Sequence, residues 1–256
     1  MLTVSKHMMG TCKLCLKEKE LIKKSHILSD FLHSDLYDEN HKLRQMDVIA
    51  LSKGIDRESR PSSGSYEGGL LCNVCDNETI GKYETYISNV IKDNLAEGEK
   101  INCKKVKNTY GLNFIELTNL NYIKTKLFLL SLLWRAGIST RDEYKEVELG
   151  PYSDSIRKQI FENSPSNDKN IQITIYKFAE DSNYSSFIGQ PRRHKFGHST
   201  TYSIVITGYL IVYHLKENNI SEKTYNNRLK ENNSIAVIEV PKNMVQRFVL
   251  TYTGMI

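Results

Sequence analysis

Gly10-Thr11-Cys12-Lys13-Leu14-Cys15-Leu16-Lys17 and, much later in the chain, Leu70-Leu71-Cys72-Asn73-Val74-Cys75-Asp76 are the stretches whose reading decides the fold. Each sets two thiols two residues apart, a spacing at which a tight turn aims both sulfurs at one tetrahedral ion. Two such pairs among five cysteines, with Cys103 left over, point to one structural Zn²⁺ held by Cys12, Cys15, Cys72 and Cys75. A disulfide framework would use its cysteines differently, so thiol usage of this kind suits a reducing compartment and the expected location is the cytoplasm. The N-terminal residues Met1 to Gly10 lack the charged start, apolar stretch and cleavage site of an export signal.

The gap between the pairs is longer than in a zinc ribbon and has content of its own, including Ser25-His26-Ile27-Leu28 and Tyr37-Asp38-Glu39-Asn40-His41. That favours a treble-clef order: a knuckle, a hairpin, an inserted segment, then a second knuckle opening a helix. Ile80, Tyr83, Ile87 and Val90 follow Cys75 at offsets of three and four, which predicts the helix over 76–90. The expected organisation is a zinc module over 1–104 and an α+β domain over 105–256.

Cys12/Cys15, Ser25-His26-Ile27-Leu28 and Leu70-Leu71-Cys72-Asn73-Val74-Cys75 together resemble the HNH-like (His-Me finger) nucleases over about the first ninety residues. With Phe128-Leu129-Leu130-Ser131-Leu132-Leu133-Trp134-Arg135 and Leu149-Gly150-Pro151-Tyr152, the pattern looks like a group of poorly characterised bacterial proteins associated with mobile and defence loci. The resemblance implies that His26 is a general base toward water and that zinc only holds the scaffold. It further implies a catalytic Mg²⁺ or Mn²⁺ at Asp76, with Glu67 or Asp38 as further ligands, because carboxylate oxygens suit such ions. The chain departs from the family pattern at three places. Ser25 stands where an acid or histidine usually precedes the base, Ser65-Tyr66-Glu67-Gly68-Gly69 where an asparagine is usual, and Asp76 where a histidine often follows the last cysteine. The plainer roles stay open beside these: His26 as a brace for the knuckle, Asp76 as an acid favoured by a helix start, Asp38, His41 and Glu67 as loop residues.

The longest apolar run, Leu127 to Trp134, is broken by Ser131 and flanked by Lys126 and Arg135, so it reads as a buried helix and not a membrane span. Helix is expected over 118–137, capped by Thr118 or Asn119, with Trp134 beside an Arg135 that snorkels to the surface, and again over 154–162. Alternating or β-branched stretches predict strands at 171–178, 202–213 and 235–240, with a further one at 247–252, in an antiparallel or mixed sheet.

The net charge of +5 is uneven. Lys and Arg number 15 against 16 Asp and Glu in 1–104, and 20 against 14 in 105–256. The zinc module is therefore no electrostatic clamp for phosphates, and a simple DNA-binding finger is disfavoured. The densest positive cluster, Pro191 to His198, reads as a solvated basic loop whose Arg192, Arg193 and Lys195 can hold nucleic acid or an acidic partner; His194 and His198 have metal-ligand spacing only on a helix. The expected function is a metal-dependent endonuclease, an effector against phage, acting on nucleic acid and activated or restrained by a partner protein. The alternative is a non-catalytic zinc-stabilised module that binds a partner protein or nucleic acid.

Overall fold

Strands of two or three residues make up the N-terminal part of the fold, as seen in a computed structural model that describes residues 8–46, 58–107, 112–166, 171–179, 187–196, 199–215 and 226–253. β1 (Met9–Thr11) and β2 (Glu18–Glu20) form an antiparallel hairpin whose turn carries Cys12 and Cys15. Leu16 takes a positive φ of 58° to close that turn. β3 (Ser25–His26) follows, then a 3-10 helix (Asp30–Leu36) and a small ladder of β4 (Gln45–Met46) with β5 (Glu58–Ser59). β6 (Tyr66–Glu67) returns to pair with β3, setting His26 opposite Tyr66. After Cys72 the chain enters a π turn (Val74–Ile80) that runs straight into α1 (Gly81–Ile91). The expected helix over 76–90 is present; Ile80, Tyr83 and Tyr86 drive it by burying one face.

β7 (Asn102–Lys107) and β8 (Asn113–Thr118) form a hairpin that joins a sheet, and α2 (Tyr122–Ile138), α3 (Tyr152–Glu162), β9 (Ile171–Lys177), β10 (Arg192–Phe196), β11 (Ser199–Ile206), β12 (Tyr209–Leu215), β13 (Ile235–Glu239) and α4 (Lys242–Thr253) complete the chain. The seven strands run in the order β10-β11-β12-β9-β13-β8-β7. All neighbours are antiparallel except β13 and β9, so the fold is α+β with a mixed sheet. β11 and β12 turn through Thr207 and Gly208, both at positive φ, as a two-residue hairpin of this twist demands.

α2 is the centre of the molecule. Leu127, Leu130, Leu132, Leu133 and Ala136 are wholly buried, because the helix lies between the sheet and the N-terminal cysteine module and has no solvent side over most of its length. Tyr202, Ile204, Ile211 and Tyr213 face it from the sheet, and the Tyr213 hydroxyl donates to the Leu129 carbonyl at 2.9 Å. On the opposite sheet face Val205, Leu210 and Val212 pack with Val245 and Val249 of α4. One apolar cluster runs from Cys12 and Leu14 through Tyr83 and α2 to Ile235 and Val237, and the 104/105 division falls inside β7.

Several expectations are corrected. Residues 247–252 belong to α4 and not to a strand: Val245, Val249 and Tyr252 repeat at helical spacing, a period that the β-branched content masked. Thr118 ends β8, Asn119 takes φ 65°, and it is Asn121 that caps α2, its side chain accepting from the Lys124 N–H at 3.0 Å. Arg135 does not snorkel; only 2% of its side chain is exposed. The stretch 192–196 is the edge strand β10 and not a loop. Gly197 and His198 lie outside the described residues.

Because the apolar cluster ignores the expected division, a fragment ending at residue 104 loses α2 and with it most of its core. It should show no cooperative urea unfolding even with zinc supplied, whereas the full chain unfolds in one transition followed by circular dichroism. Burial pushes the His214 imidazole, whose Nε2 lies 2.9 Å from Thr174 Oγ1, down to about 4. A folded-state value below the unfolded 6.5 means its contribution is complete above that pH and is lost as pH falls toward 4. H214Q should flatten the acid side of the stability profile.

Candidate metal centre and the His26 cluster

The two knuckles meet because their backbones tie one turn to the other. Lys13 N–H donates to the Leu70 carbonyl at 2.8 Å, Ile22 N–H to Leu71 at 2.9 Å, and Cys72 N–H to the Cys12 sulfur at 3.4 Å. Cys12, Cys15, Cys72 and Cys75 thereby bring four sulfurs within 4.8 Å of one another, a cluster that can hold a metal ion such as zinc. Cys12, Cys72 and Cys75 are buried and Cys15 is partly exposed. Burial raises the Cys12 thiol, but backbone hydrogen bonds from Cys15, Cys72 and Leu14 outweigh it and leave the group at about 7. Burial, then the neighbouring sulfurs of Cys72 and Cys12, push Cys75 strongly upward. Four packed thiols cannot all ionise against one another, and a dication bound among them removes that conflict.

A second cluster, polar and mostly buried, lies beside the knuckles. Ser25, fully buried in β3, donates to Asp76 Oδ1 at 2.6 Å and so links the hairpin to the start of the second-knuckle helix. Burial raises the Asp76 carboxyl; the Ser25 bond and the charges of Arg135 and His26 act against it, and Glu84 with it. The next residue, His26, keeps 30% of its side chain exposed and stands edge-on to Tyr66 at 6.2 Å between centroids. Its Nε2 approaches Asp30 Oδ1 to 3.5 Å, an electrostatic approach without hydrogen-bond geometry, so this nitrogen has no bonded partner among the described residues.

Arg135 reaches the same place from α2. Nη1 donates to the His26 carbonyl at 2.7 Å, and Nη2 donates to Ser29 Oγ at 3.0 Å and to Glu84 Oε1 at 2.8 Å. Ser29 Oγ in turn donates to Glu84 Oε1 at 2.6 Å. His33 is buried close by, its ring pressed on Gly64 so tightly that a Cβ there would lie 2.5 Å from Cε1. Burial holds this imidazole below its ordinary value.

The anticipated site residues therefore separate into groups. Asp76 is held by Ser25, the residue next to His26 on β3. Asp38 accepts from the N–H groups of Asn40 and Lys42 at 2.9 and 2.8 Å and faces Arg60 at 3.6 Å, the work of a turn-forming acid. Glu67 accepts from Ser139 Oγ at 2.6 Å, Thr140 Oγ1 at 2.7 Å and Thr140 N–H at 3.0 Å, fastening β6 to the end of α2. Among the described residues the four cysteines are the one group of three or more ligating side chains so placed. Arg192 and Arg193 each meet a glutamate, Glu146 and Glu148, at 2.7 Å, while Lys195 is exposed. Glu84, Ser29, Asp30 and the buried role of Arg135 were not foreseen. Glu84 had one signal, its place roughly two turns beyond Asp76 on one helix face.

No protein-family model, curated protein or solved structure matches this chain.

Elemental analysis of the purified protein should find one zinc per chain. C72S should bind none and unfold at lower temperature. Zinc occupancy should fall as pH drops, since protons compete for the same sulfurs.

Proposed function

We propose that this protein is a metal-dependent, HNH-like endonuclease whose treble-clef module is held by a structural Zn²⁺ on Cys12, Cys15, Cys72 and Cys75. The observation that carries the reading is the nearness of His26 to Asp76 beside the knuckles: Asp76 accepts from Ser25, the neighbour of His26 on β3, the His26 charge bears on the Asp76 carboxyl, and His26 Nε2 makes no hydrogen bond. A base needs a nitrogen free of hydrogen bonds; Nε2 is itself buried although 30% of the side chain is exposed, so in this reading water reaches it when the ring turns away from Asp30. Placement on the hairpin and at the helix start agrees with the motif resemblance noted above.

In this reading His26 Nε2 takes a proton from water, the resulting hydroxide attacks the phosphorus, and the bond to the leaving oxygen breaks. Asp76 would hold Mg²⁺ or Mn²⁺ through the oxygen that Ser25 does not occupy. Such an ion, bound by one or two carboxylates and completed by water and substrate phosphate, supplies charge neutralisation on the phosphate. Glu67 and Asp38 have their oxygens engaged within the fold, so they are poor candidates to share that ion.

The second reading, a zinc-stabilised binding module, is favoured by the exposed apolar side chains of Met8, Met9, Leu16 and Val74 on and next to the two knuckles. They suit a partner protein's surface.

Purified protein with Mg²⁺ or Mn²⁺ should cleave plasmid DNA or total RNA, and H26A with its zinc intact should lose about 100-fold or more of that rate, the usual scale for a general base. Absence of cleavage by either protein supports the binding module.

A further inference from the structure

The His26 hairpin is too small to hold its own geometry. β3 and β6 share two residue pairs, Ser25 with Glu67 and His26 with Tyr66, and a ladder of that length is marginal by itself. The His26 carbonyl also accepts a 2.7 Å bond from Arg135 Nη1, 109 residues away. Fixing that carbonyl fixes the peptide plane after His26 and so limits where its Cα–Cβ bond can point.

We infer that Arg135, neutralised by Glu84, is the positioning residue for the His26 imidazole, so that the C-terminal half of the chain completes a site carried by the zinc module. This rests on the reading of His26 as the base. Burial of a guanidinium at 2% exposure is costly unless its donors are used, and here three nitrogens are: Nη1 on His26, Nη2 on Ser29 and Glu84, Nε toward the Ser131 carbonyl at 3.4 Å. The fork geometry explains the residue type. A lysine ammonium at the same place is a single point and cannot span the His26 carbonyl and the Glu84 carboxylate from opposite sides of one plane. Ser29 is both acceptor from Arg135 and donor to Glu84, which locks the fork's orientation. Arg135 follows a helix buried against the sheet, so the position of its guanidinium is set by the C-terminal core and not by the knuckles.

The test compares full-length, zinc-bound wild type with R135K and E84Q. Three readouts are taken: zinc content, the imidazole ¹⁵N–¹H correlations of His26, and cleavage kinetics with Mg²⁺ or Mn²⁺. The expected result is unchanged zinc, displaced or broadened His26 imidazole signals, and a kcat lowered about 100-fold with KM little altered, the scale of loss for a misplaced group. Unchanged His26 signals in zinc-bound variants would overturn the inference. If wild type does not cleave, the base reading fails while the imidazole signals still decide the positioning role. If R135K and E84Q lose zinc or unfold, S29A is measured in their place, because it removes the bridging hydroxyl without burying an unpaired charge.

Discussion

Four sulfurs from two turns sixty residues apart sit within 4.8 Å of one another and join the two ends of the N-terminal part of this chain. Apart from α1, the elements of that part are small. Its strands are two or three residues long, and its 3-10 helix is a single short piece. Isolated ladders of this size are marginal in water, and an ion held by the four cysteines would contribute free energy that short strands cannot. The interknuckle hydrogen bonds from Lys13 and Ile22 align the turns, and the buried cysteines and Leu71 fill the space between them.

The second organising element is α2, which closes the module from outside. Its leucines complete the apolar cluster that begins at Cys12, and its last turn sends Arg135 into the polar cluster around Ser25, His26, Asp76 and Glu84. Beyond it, Ser139 and Thr140 grip Glu67, and Arg141 Nη1 donates to the Tyr66 carbonyl at 3.2 Å. Both strands of the His26 hairpin are thus held by one stretch of the C-terminal half. Removing one member of the Arg135–Glu84 pair strands the other charge; a fully buried pair would cost about 3–5 kcal/mol, and the quarter exposure of Glu84 brings this one below that. The pair therefore couples the stability of the hairpin to that of the sheet core.

What could be read from the sequence follows from which signals are local. The cysteine spacing, the helix after Cys75, the buried helix around Leu130 and the alternating strand at 171–177 each declare themselves within one short window. β7 did not, because its run of Asn102, Cys103 and lysines is exposed on both faces and carries no alternation. Arg135 beside Trp134 looked like a snorkelling pair because the carboxylate that neutralises it, Glu84, is 51 residues away. The same is true of Arg192 and Arg193, whose positive charge is met by Glu146 and Glu148 only in three dimensions. Glu67 and Asp38 looked like spare acids for the converse reason: their hydrogen-bond partners are backbone amides and hydroxyls, which no charge count registers, with Arg60 facing Asp38 besides.

The proposed metal centre rests on its four cysteine ligands. X-ray absorption at the zinc edge of the purified full-length protein tests this most directly. A shell of four sulfurs at about 2.3 Å is the result the account predicts. A shell containing nitrogen or oxygen, or protein that folds without zinc, would contradict it.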